Sequence, residues 1–290
     1  MSPSLTVGVT GAQGYVGSVI GRALSAVGIG VVPLVRTAPP NGAGTGGDGP
    51  ASRHYDLSEA PGTGLLEGLD VLVHCAWDMR LTRYADIWRV NVEGTNRLVA
   101  MAKQAGTARV VFISSMSAYG GTSQIYGLTK LACERVVLAS GGAVLRPGLV
   151  YGTGAGGMIG NLGKLSRFPV VPVIARRGAQ FMVHEDDLAA SVLKLVTSDE
   201  VPAVPLGLAH PDPVPFEYIL RATTSQDGKR RRYVSVPWPA VYIGLRAGEA
   251  VGLRLPFRSD SLLGLIRPAP SVANADVVRA MGLRLRPFPR

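Results

Sequence analysis

Tyr126 and Lys130 lie four positions apart, a spacing that puts a phenol and an ammonium on one face of a helix. A phenol in water titrates near pH 10, and a cation held beside it favours the phenolate, moving it toward the range a general base needs. Upstream, Arg109-Val110-Val111-Phe112-Ile113 reads as a short buried strand, with Ser114 and Ser115 where it ends. A serine hydroxyl there can hold a substrate oxygen within reach of the tyrosine. Gly120-Gly121 supply a turn, and Leu128, Leu131, Ala132, Val136 and Val137 recur at helical spacing. This set of groups suits hydride transfer at a carbon bearing oxygen. A Tyr-x-x-x-Lys pair alone is more often an incidental feature of a helix surface. It is the preceding strand, the serines and the N-terminal motif that give it meaning.

That motif is Thr10-Gly11-Ala12-Gln13-Gly14-Tyr15-Val16-Gly17, between the strand-like LTVGV of residues 5–9 and an apolar-periodic helix with Val19, Ile20, Ala23, Leu24 and Val27. Gly11, Gly14 and Gly17 allow a tight turn, a close approach of backbone to a pyrophosphate, and close helix–strand packing, so phosphates meet free N–H groups at the helix start. Gln13, Tyr15 and Val16 lie within the same loop. A second strand, Val31–Val35, ends in Arg36. An acidic residue at this point marks NAD, whereas an Arg suits the 2′-phosphate of NADP. NADP(H) is therefore favoured and NAD(H) stays open. Residues 37–50 are rich in Pro and Gly and read as a surface loop. Asp56, followed by Leu57, could accept a bond from the adenine amino group.

Further along, Val71-Leu72-Val73-His74-Cys75-Ala76 reads as a strand in which His74 is a satisfied structural residue rather than an acid or base. Trp77 to about Ile87 borders the site as a loop or short helix, and Asn91 opens or lies within the next helix. Ala143-Val144-Leu145 is another strand, running into Arg146-Pro147-Gly148-Leu149-Val150-Tyr151-Gly152, and Gly154, Gly156 and Gly157 mark a loop. Residues 158–180 hold a helix-like segment and a Pro-interrupted strand, VPVIA. In residues 181–198 acidic groups open a helix, where they complement its dipole. Val204–Leu208 is a late strand, and short helices separated by Pro follow. Strands alternating with helices at crossover spacing give an α/β, Rossmann-type, doubly wound parallel sheet.

Composition bounds the rest. The 290 residues carry a net charge of +10, most of it in residues 221–290, and 47% are hydrophobic. The sharpest basic feature, Lys229-Arg230-Arg231-Arg232, reads as a solvated loop or as a site for a polyphosphate or an anionic surface. No aromatic interleaving accompanies it, so nucleic-acid binding is not favoured. Cys75 and Cys133, the two cysteines, read as buried thiols of a reducing compartment, and no Cys/His cluster has metal-ligand spacing. A strand begins almost at the N-terminus, leaving no room for a signal peptide. The most apolar stretch, Val236–Phe257, is interrupted by Arg246, Glu249 and Arg254, against a transmembrane helix. The expected location is cytoplasmic.

With these residues in place, the chain resembles an extended short-chain dehydrogenase/reductase of the NAD-dependent epimerase/dehydratase family. The likeness rests on Thr10–Gly17, Asp56-Leu57, His74-Cys75-Ala76, Asn91-Val92-Glu93-Gly94-Thr95, Ser114-Ser115, Tyr126–Lys130, Leu145–Gly152 and His184–Leu188. It implies that Ser115 is the catalytic hydroxyl, Tyr126 the general acid/base, and Lys130 the residue that binds the nicotinamide ribose and depresses Tyr126. Asn91 would support the Lys130 side, Pro147 and Gly148 would border the nicotinamide, and Cys75, Ala76 and Leu57 would line the cofactor. It further implies a Rossmann domain of residues 1–152 and 181–210, a substrate domain of 153–180 and 211–290, and a homodimer.

Departures from the family narrow the chemistry. Met116-Ser117 replaces the Asp-Glu pair with which dehydratases eliminate water, and the cysteine of the fucose-synthase type is missing. Hydride transfer at one carbon remains, as a 4-epimerase or a 4-ketoreductase of a nucleotide sugar. Leu149 stands where UDP-galactose-type epimerases carry an Asn, whereas Gly157 to Asn161 resembles the polysaccharide-cluster epimerases, in which Asn161 would face the nucleotide. Trp77, Ser117 and Asn161 are the candidate substrate contacts. Two other readings are a reductase of a non-nucleotide carbonyl, with 236–257 lining its pocket, and a non-catalytic dinucleotide-binding sensor or assembly subunit.

Overall fold

A computed structural model describes residues 5–37, 51–153, 156–174, 178–225, 227–253 and 257–289. The loop expected over 37–50 therefore lies outside the described residues beyond Thr37, as do Gly154 and the end of VPVIA. Among the described residues a seven-stranded parallel sheet forms the centre, built from β1 (Thr6–Thr10), β2 (Gly30–Val35), β3 (Arg53–His54), β4 (Val71–His74), β5 (Arg109–Ile113), β6 (Ala143–Pro147) and β11 (Leu206–Leu208). Its spatial order is β11-β6-β5-β4-β1-β2-β3. The chain reverses direction across the sheet between β1 and β4, the kind of switch point at which open α/β sheets bind ligands beyond their carboxyl ends.

The strands are apolar on both faces because helices cover both. Val9, Val73, Val111 and Leu145 point into one core with Ile20 and Leu24 of α1 (Tyr15–Ala26) and Leu188, Val192 and Leu195 of α6 (Glu185–Thr197). Alternate residues, among them Leu72, Phe112 and Val144, point into a second core with Leu98 of α3 (Glu93–Gln104) and Cys133 and Val137 of α4 (Ile125–Ala139). The period of two along each strand accounts for this partition. A four-residue helix α2 (Tyr84–Ile87) runs into a π-helical turn, Trp88–Val92, that leads directly into α3. Asn91 lies in that turn, a widened helical segment of a kind frequent at functional sites.

A third core forms a smaller lobe. It gathers Met182, Val171, Phe216, Ile219, Leu220 and Leu265 from the short strands β7 (Leu149–Tyr151), β8 (Val170–Val173), β9 (Ala179–Gln180), β10 (Met182–His184), β12 (Val214–Pro215) and β13 (Arg232–Ser235) and from nearby helices. Those helices are α5 (Gly157–Gly163), α7 (Phe216–Thr224) and α9 (Ser259–Ile266), while α8 (Trp238–Ala250) packs on α9 outside this core. Helix α10 (Ala275–Ala280) returns to the main sheet, where Val278 enters the α1/α6 core and the carbonyl of Ala273 accepts the Gly207 amide of β11 at 2.8 Å. Beyond it, Arg286 forms an ion pair with Asp187 of α6. The C-terminal segment thus touches both lobes, with Val278 in the α1/α6 core and Phe288 against the third core. No helix among the described residues is long and apolar enough to cross a membrane.

Candidate active site

The end of β5 and the start of α4 meet at one cavity. Ser114 continues the sheet by donating its amide to Leu145, and Met116 donates to Pro147. The Ser114 hydroxyl turns inward to the carboxylate of Glu134, which also holds Arg146 through two guanidinium bonds. This buried cluster fixes α4 against β6, and so fixes the helix that carries the tyrosine. Gly127 allows the next contact: a Cβ there would lie 2.2 Å from the Ser117 carbonyl oxygen. Ser115, Ser117, Tyr126, Pro147 and Gly148 line a cavity of about 220 Å³ together with Met116, Leu149 and Phe181.

Protonation within the site runs against the sequence-based expectation. Burial pushes the Tyr126 phenol up to about 12; a hydrogen bond with Ser115 opposes this, and the Asp260 carboxylate adds to it. Lys130 is buried one turn beyond the phenol. Its ammonium donates to the Ile113 carbonyl at 2.7 Å and lies 3.9 Å from the centre of the Trp77 ring. Burial lowers its pKa to about 8. The Trp77 ring also meets Tyr126 edge-on at 5.7 Å. Asn91 acts on this arrangement indirectly. Its side-chain oxygen accepts the Asp78 amide at 2.7 Å and its amide donates to the Asp78 carbonyl, which holds the loop that places Trp77 over Lys130.

A second cavity, of about 340 Å³, opens at the ends of β1, β2 and β4 and is lined by Gly11, Gln13, Gly14, Arg36, Asp56, Leu57, Cys75, Ala76 and Trp77. Gly11 has φ +65°, and a Cβ on it would lie 3.0 Å from Ala76 backbone atoms, so the turn requires glycine. A Cβ on Gly17 would lie 2.3 Å from the Gly11 carbonyl oxygen. Helix α1 begins here with no side-chain cap and no acidic residue in its first turn, leaving its N-terminus open to an anion. These features fit a dinucleotide. Gly11, Gln13 and Gly14 would hold its pyrophosphate, Arg36 and Asp56 its adenosine end, and Ser115, Tyr126 and Lys130 would stand at its nicotinamide end.

Several anticipated contacts lie elsewhere. The Tyr15 hydroxyl donates to Glu185 at 2.7 Å, and its ring packs on Gly156 and Gly157, so it clasps the turn before α5 and is not part of the groove wall. Val16 packs against the α1/α6 core. Asn161 is exposed on α5, its side-chain oxygen takes a bond from Lys164, and it lines neither of these cavities. Of the segment 236–257, no described residue lines the wall near Tyr126. His74 is a structural residue: buried, it bridges the Thr10 and Thr95 hydroxyls at 2.7 and 3.0 Å. Cys75 and Cys133 are free thiols, both pushed up in pKa by burial.

The structure also adds residues that the local patterns did not mark. Asp260, at the start of α9, accepts the backbone amides of Ile125 and Tyr126 at 2.9 and 3.0 Å. Arg258 and Arg267 border the same cavity, as do Gln124 and Gln180. Arg258 donates to the Met79 carbonyl at 3.2 Å, linking the smaller lobe to the loop after β4.

Comparison with known proteins agrees with this geometry. Residues 7–168 match the NAD dependent epimerase/dehydratase family. Ceramide reductase of Caulobacter vibrioides is 28% identical over 84% of this chain and 77% of its own. The dTDP-6-deoxy-L-talose 4-dehydrogenase (NAD(P)(+)) of Kitasatospora kifunensis is 31% identical over 69% and 73%. Among solved structures, MoeE5 in complex with UDP-glucuronic acid and NAD superposes with a TM-score of 0.74 at 23% identity, covering 98% of this chain and 94% of that one, a likeness of fold. The chain therefore belongs to the NAD-dependent epimerase/dehydratase family, an enzyme family of the extended short-chain dehydrogenase/reductase type.

Proposed function

We propose that this protein interconverts a ketone and a secondary alcohol by hydride transfer with NADP(H), acting as a 4-ketoreductase of a nucleotide sugar. The observation that carries the reading is the pairing of two neutral hydroxyls, Ser115 and Tyr126, at one cavity wall. A phenol held near pKa 12 is protonated at neutral pH, so it is poised to give a proton to the oxygen of a ketone as that oxygen gains charge. Ser115 holds the same oxygen. The nicotinamide, when bound, supplies the hydride in reduction and takes it in the reverse direction. Lys130, cationic below about pH 8, would offer its remaining donors to the nicotinamide ribose of a bound cofactor. Phe181 in the cavity wall and Trp77 against Tyr126 would shield the reacting carbon from water.

The substrate assignment rests on the mixed cavity wall. Arg258 and Arg267 supply cations suited to a diphosphate, and Met116, Leu149 and Met158 offer an apolar surface suited to a deoxysugar. Two relatives, a reductase and a dehydrogenase by name, support net redox over epimerisation. The apolar share of the wall also supports a second reading, in which the ketone belongs to a non-nucleotide, lipid-like molecule.

Oxidation of NADPH is to be followed with a dTDP- or UDP-linked 4-ketosugar and, separately, with long-chain ketones. Turnover with the nucleotide-linked sugar, together with a higher melting temperature in dTDP or UDP plus cofactor, is the expected result. Turnover confined to the apolar ketones overturns the nucleotide-sugar assignment in favour of the second reading. Tyr126→Phe should lower kcat by about 10²- to 10⁴-fold and leave cofactor affinity nearly intact; full activity in that variant removes the mechanism.

A further inference from the structure

Helix α8 is apolar where a surface helix should be polar. Its inner side packs on α9, where Glu249 accepts both the amide and the hydroxyl of Ser259 at 2.8 and 2.7 Å. Its outer side carries Ala240, Ile243, Ala247 and Ala250 and continues into Val251 and Leu253, all exposed. Ile243 is 67% exposed, Val251 74% and Leu253 58%. The outward ionisable group on this face is Arg246. A helix that is apolar on its outer face as well as its inner one is normally covered by something.

The charges beside this face indicate what covers it. The run Lys229-Arg230-Arg231-Arg232 leads through β13 directly into α8. Arg231 is turned inward to the Ser166 carbonyl and Asp227, whereas Lys229, Arg230 and Arg232 are exposed. Between residues 229 and 253 the single acidic residue is Glu249, and its carboxylate is engaged by Ser259. Beside β13, the paired strand β8 adds exposed Val170 and is preceded by exposed Arg167 and Phe168. The result is an apolar strip edged by cations, with Trp238 and Tyr242 at its near end.

We infer that α8 and the adjoining β8–β13 edge dock on an anionic lipid surface, the helix lying in the plane of the interface. An apolar face flanked by Lys and Arg is the pattern by which helices lie on anionic bilayers, with aromatic rings at headgroup depth. A second copy of this chain is a poorer occupant. A two-fold contact through this strip sets the same patch, and hence its cations, against itself, and like charges oppose association. A polyphosphate accounts for the cations but not for the outward Ile243, Val251 and Leu253. The docking does not depend on which ketone is reduced.

The test is flotation of the full chain with vesicles of equal parts phosphatidylglycerol and phosphatidylcholine, and with pure phosphatidylcholine. Binding to the anionic vesicles that weakens at high salt is expected. Each cation near such a surface is worth roughly fivefold in partitioning, so Lys229→Ser with Arg230→Ser should weaken binding about 25-fold. Ile243→Ser with Val251→Ser, both at exposed positions, should weaken binding while leaving the melting temperature unchanged. Failure of the unmodified chain to float with anionic vesicles overturns the inference, as does equal flotation with pure phosphatidylcholine. Sedimentation showing a dimer that Ile243→Ser dissociates assigns the strip to a second copy and likewise overturns it.

Discussion

The carboxylate of Asp260 holds the first turn of the helix that carries Tyr126, accepting the amides of Ile125 and Tyr126 itself. Helix α4 has no capping side chain of its own at Gln124; its cap comes from Asp260, 134 positions beyond Tyr126. The same charge raises the Tyr126 pKa. One residue of the smaller lobe thus both anchors the helix that carries Tyr126 and helps to keep its phenol protonated. Two substitutions separate these effects. Asp260→Ala removes cap and charge, and should cost about 1–2 kcal/mol, read by denaturant unfolding. Asp260→Asn keeps one acceptor oxygen, turns an NH2 toward the other amide and loses the charge. It should recover only part of the stability while the pH at which Tyr126 deprotonates falls, shifting the pH profile of alcohol oxidation to lower pH. An unchanged profile in Asp260→Asn would show that the charge does not reach the phenol.

The cofactor end of the groove gives a second prediction. Arg36 is half-exposed at the end of β2, 3.8 Å from Asp78, and lines the groove with Asp56. A guanidinium bond to a 2′-phosphate is worth about 1.5–3 kcal/mol. Arg36→Glu should therefore weaken NADPH binding roughly 10- to 100-fold and leave NADH affinity unchanged or improved. Titration of nicotinamide fluorescence with both cofactors measures this; equal loss for both would take Arg36 out of cofactor choice.

A third prediction concerns Gly17, where a Cβ would meet the Gly11 carbonyl oxygen at 2.3 Å and the Ala12 Cα at 3.1 Å. Backbone stands in the way, so relief requires the phosphate loop itself to move. Gly17→Ala should lower stability by about 1–3 kcal/mol and lower affinity for NADPH and NADH alike, since both share the pyrophosphate. Calorimetric titration against each cofactor checks the parallel loss, which distinguishes this variant from Arg36→Glu.

The two halves of the molecule were unequally legible from sequence. The sheet, the glycine loop and the Ser115–Tyr126–Lys130 set follow from local patterns: β-branched runs, helical periodicity and glycines at fixed offsets, each complete within about 20 residues. Asp260, Arg258 and Arg267 come from short helices in a Pro-broken stretch, where no spacing connects them to Tyr126. Their role exists only once the smaller lobe closes over α4. The reversed balance at Tyr126 has the same origin. Spacing shows that Lys130 shares a face with the phenol, but it does not show that Trp77 covers the ammonium or that Ile113 accepts its proton. Asn161 is the opposite case, a motif-like position whose side chain the fold leaves at the surface beside Lys164.

The last prediction follows from His74. Buried between two threonine hydroxyls and near Lys130, its imidazole is held neutral, with burial as the main cause and the Lys130 charge adding to it; its pKa falls to about 3. In the unfolded chain a histidine takes up its proton near pH 6.5. Between pH 6.5 and 3 the unfolded state therefore binds a proton that the folded state refuses, so stability rises with pH across this window and is lost on acidification. The limiting slope for one proton is about 1.4 kcal/mol per pH unit, and because the unfolded histidine is half-protonated at pH 6.5 the loss between pH 6.5 and 5 is about 1.6 kcal/mol. His74→Gln keeps an amide that can still bond Thr10 and Thr95 but removes the titration. It should be less stable than the unmodified protein at pH 7.5 and lose less on going to pH 5. Urea unfolding at several pH values measures both slopes; equal slopes would mean that His74 accepts its proton without unfolding the strand ends that carry the cofactor loop.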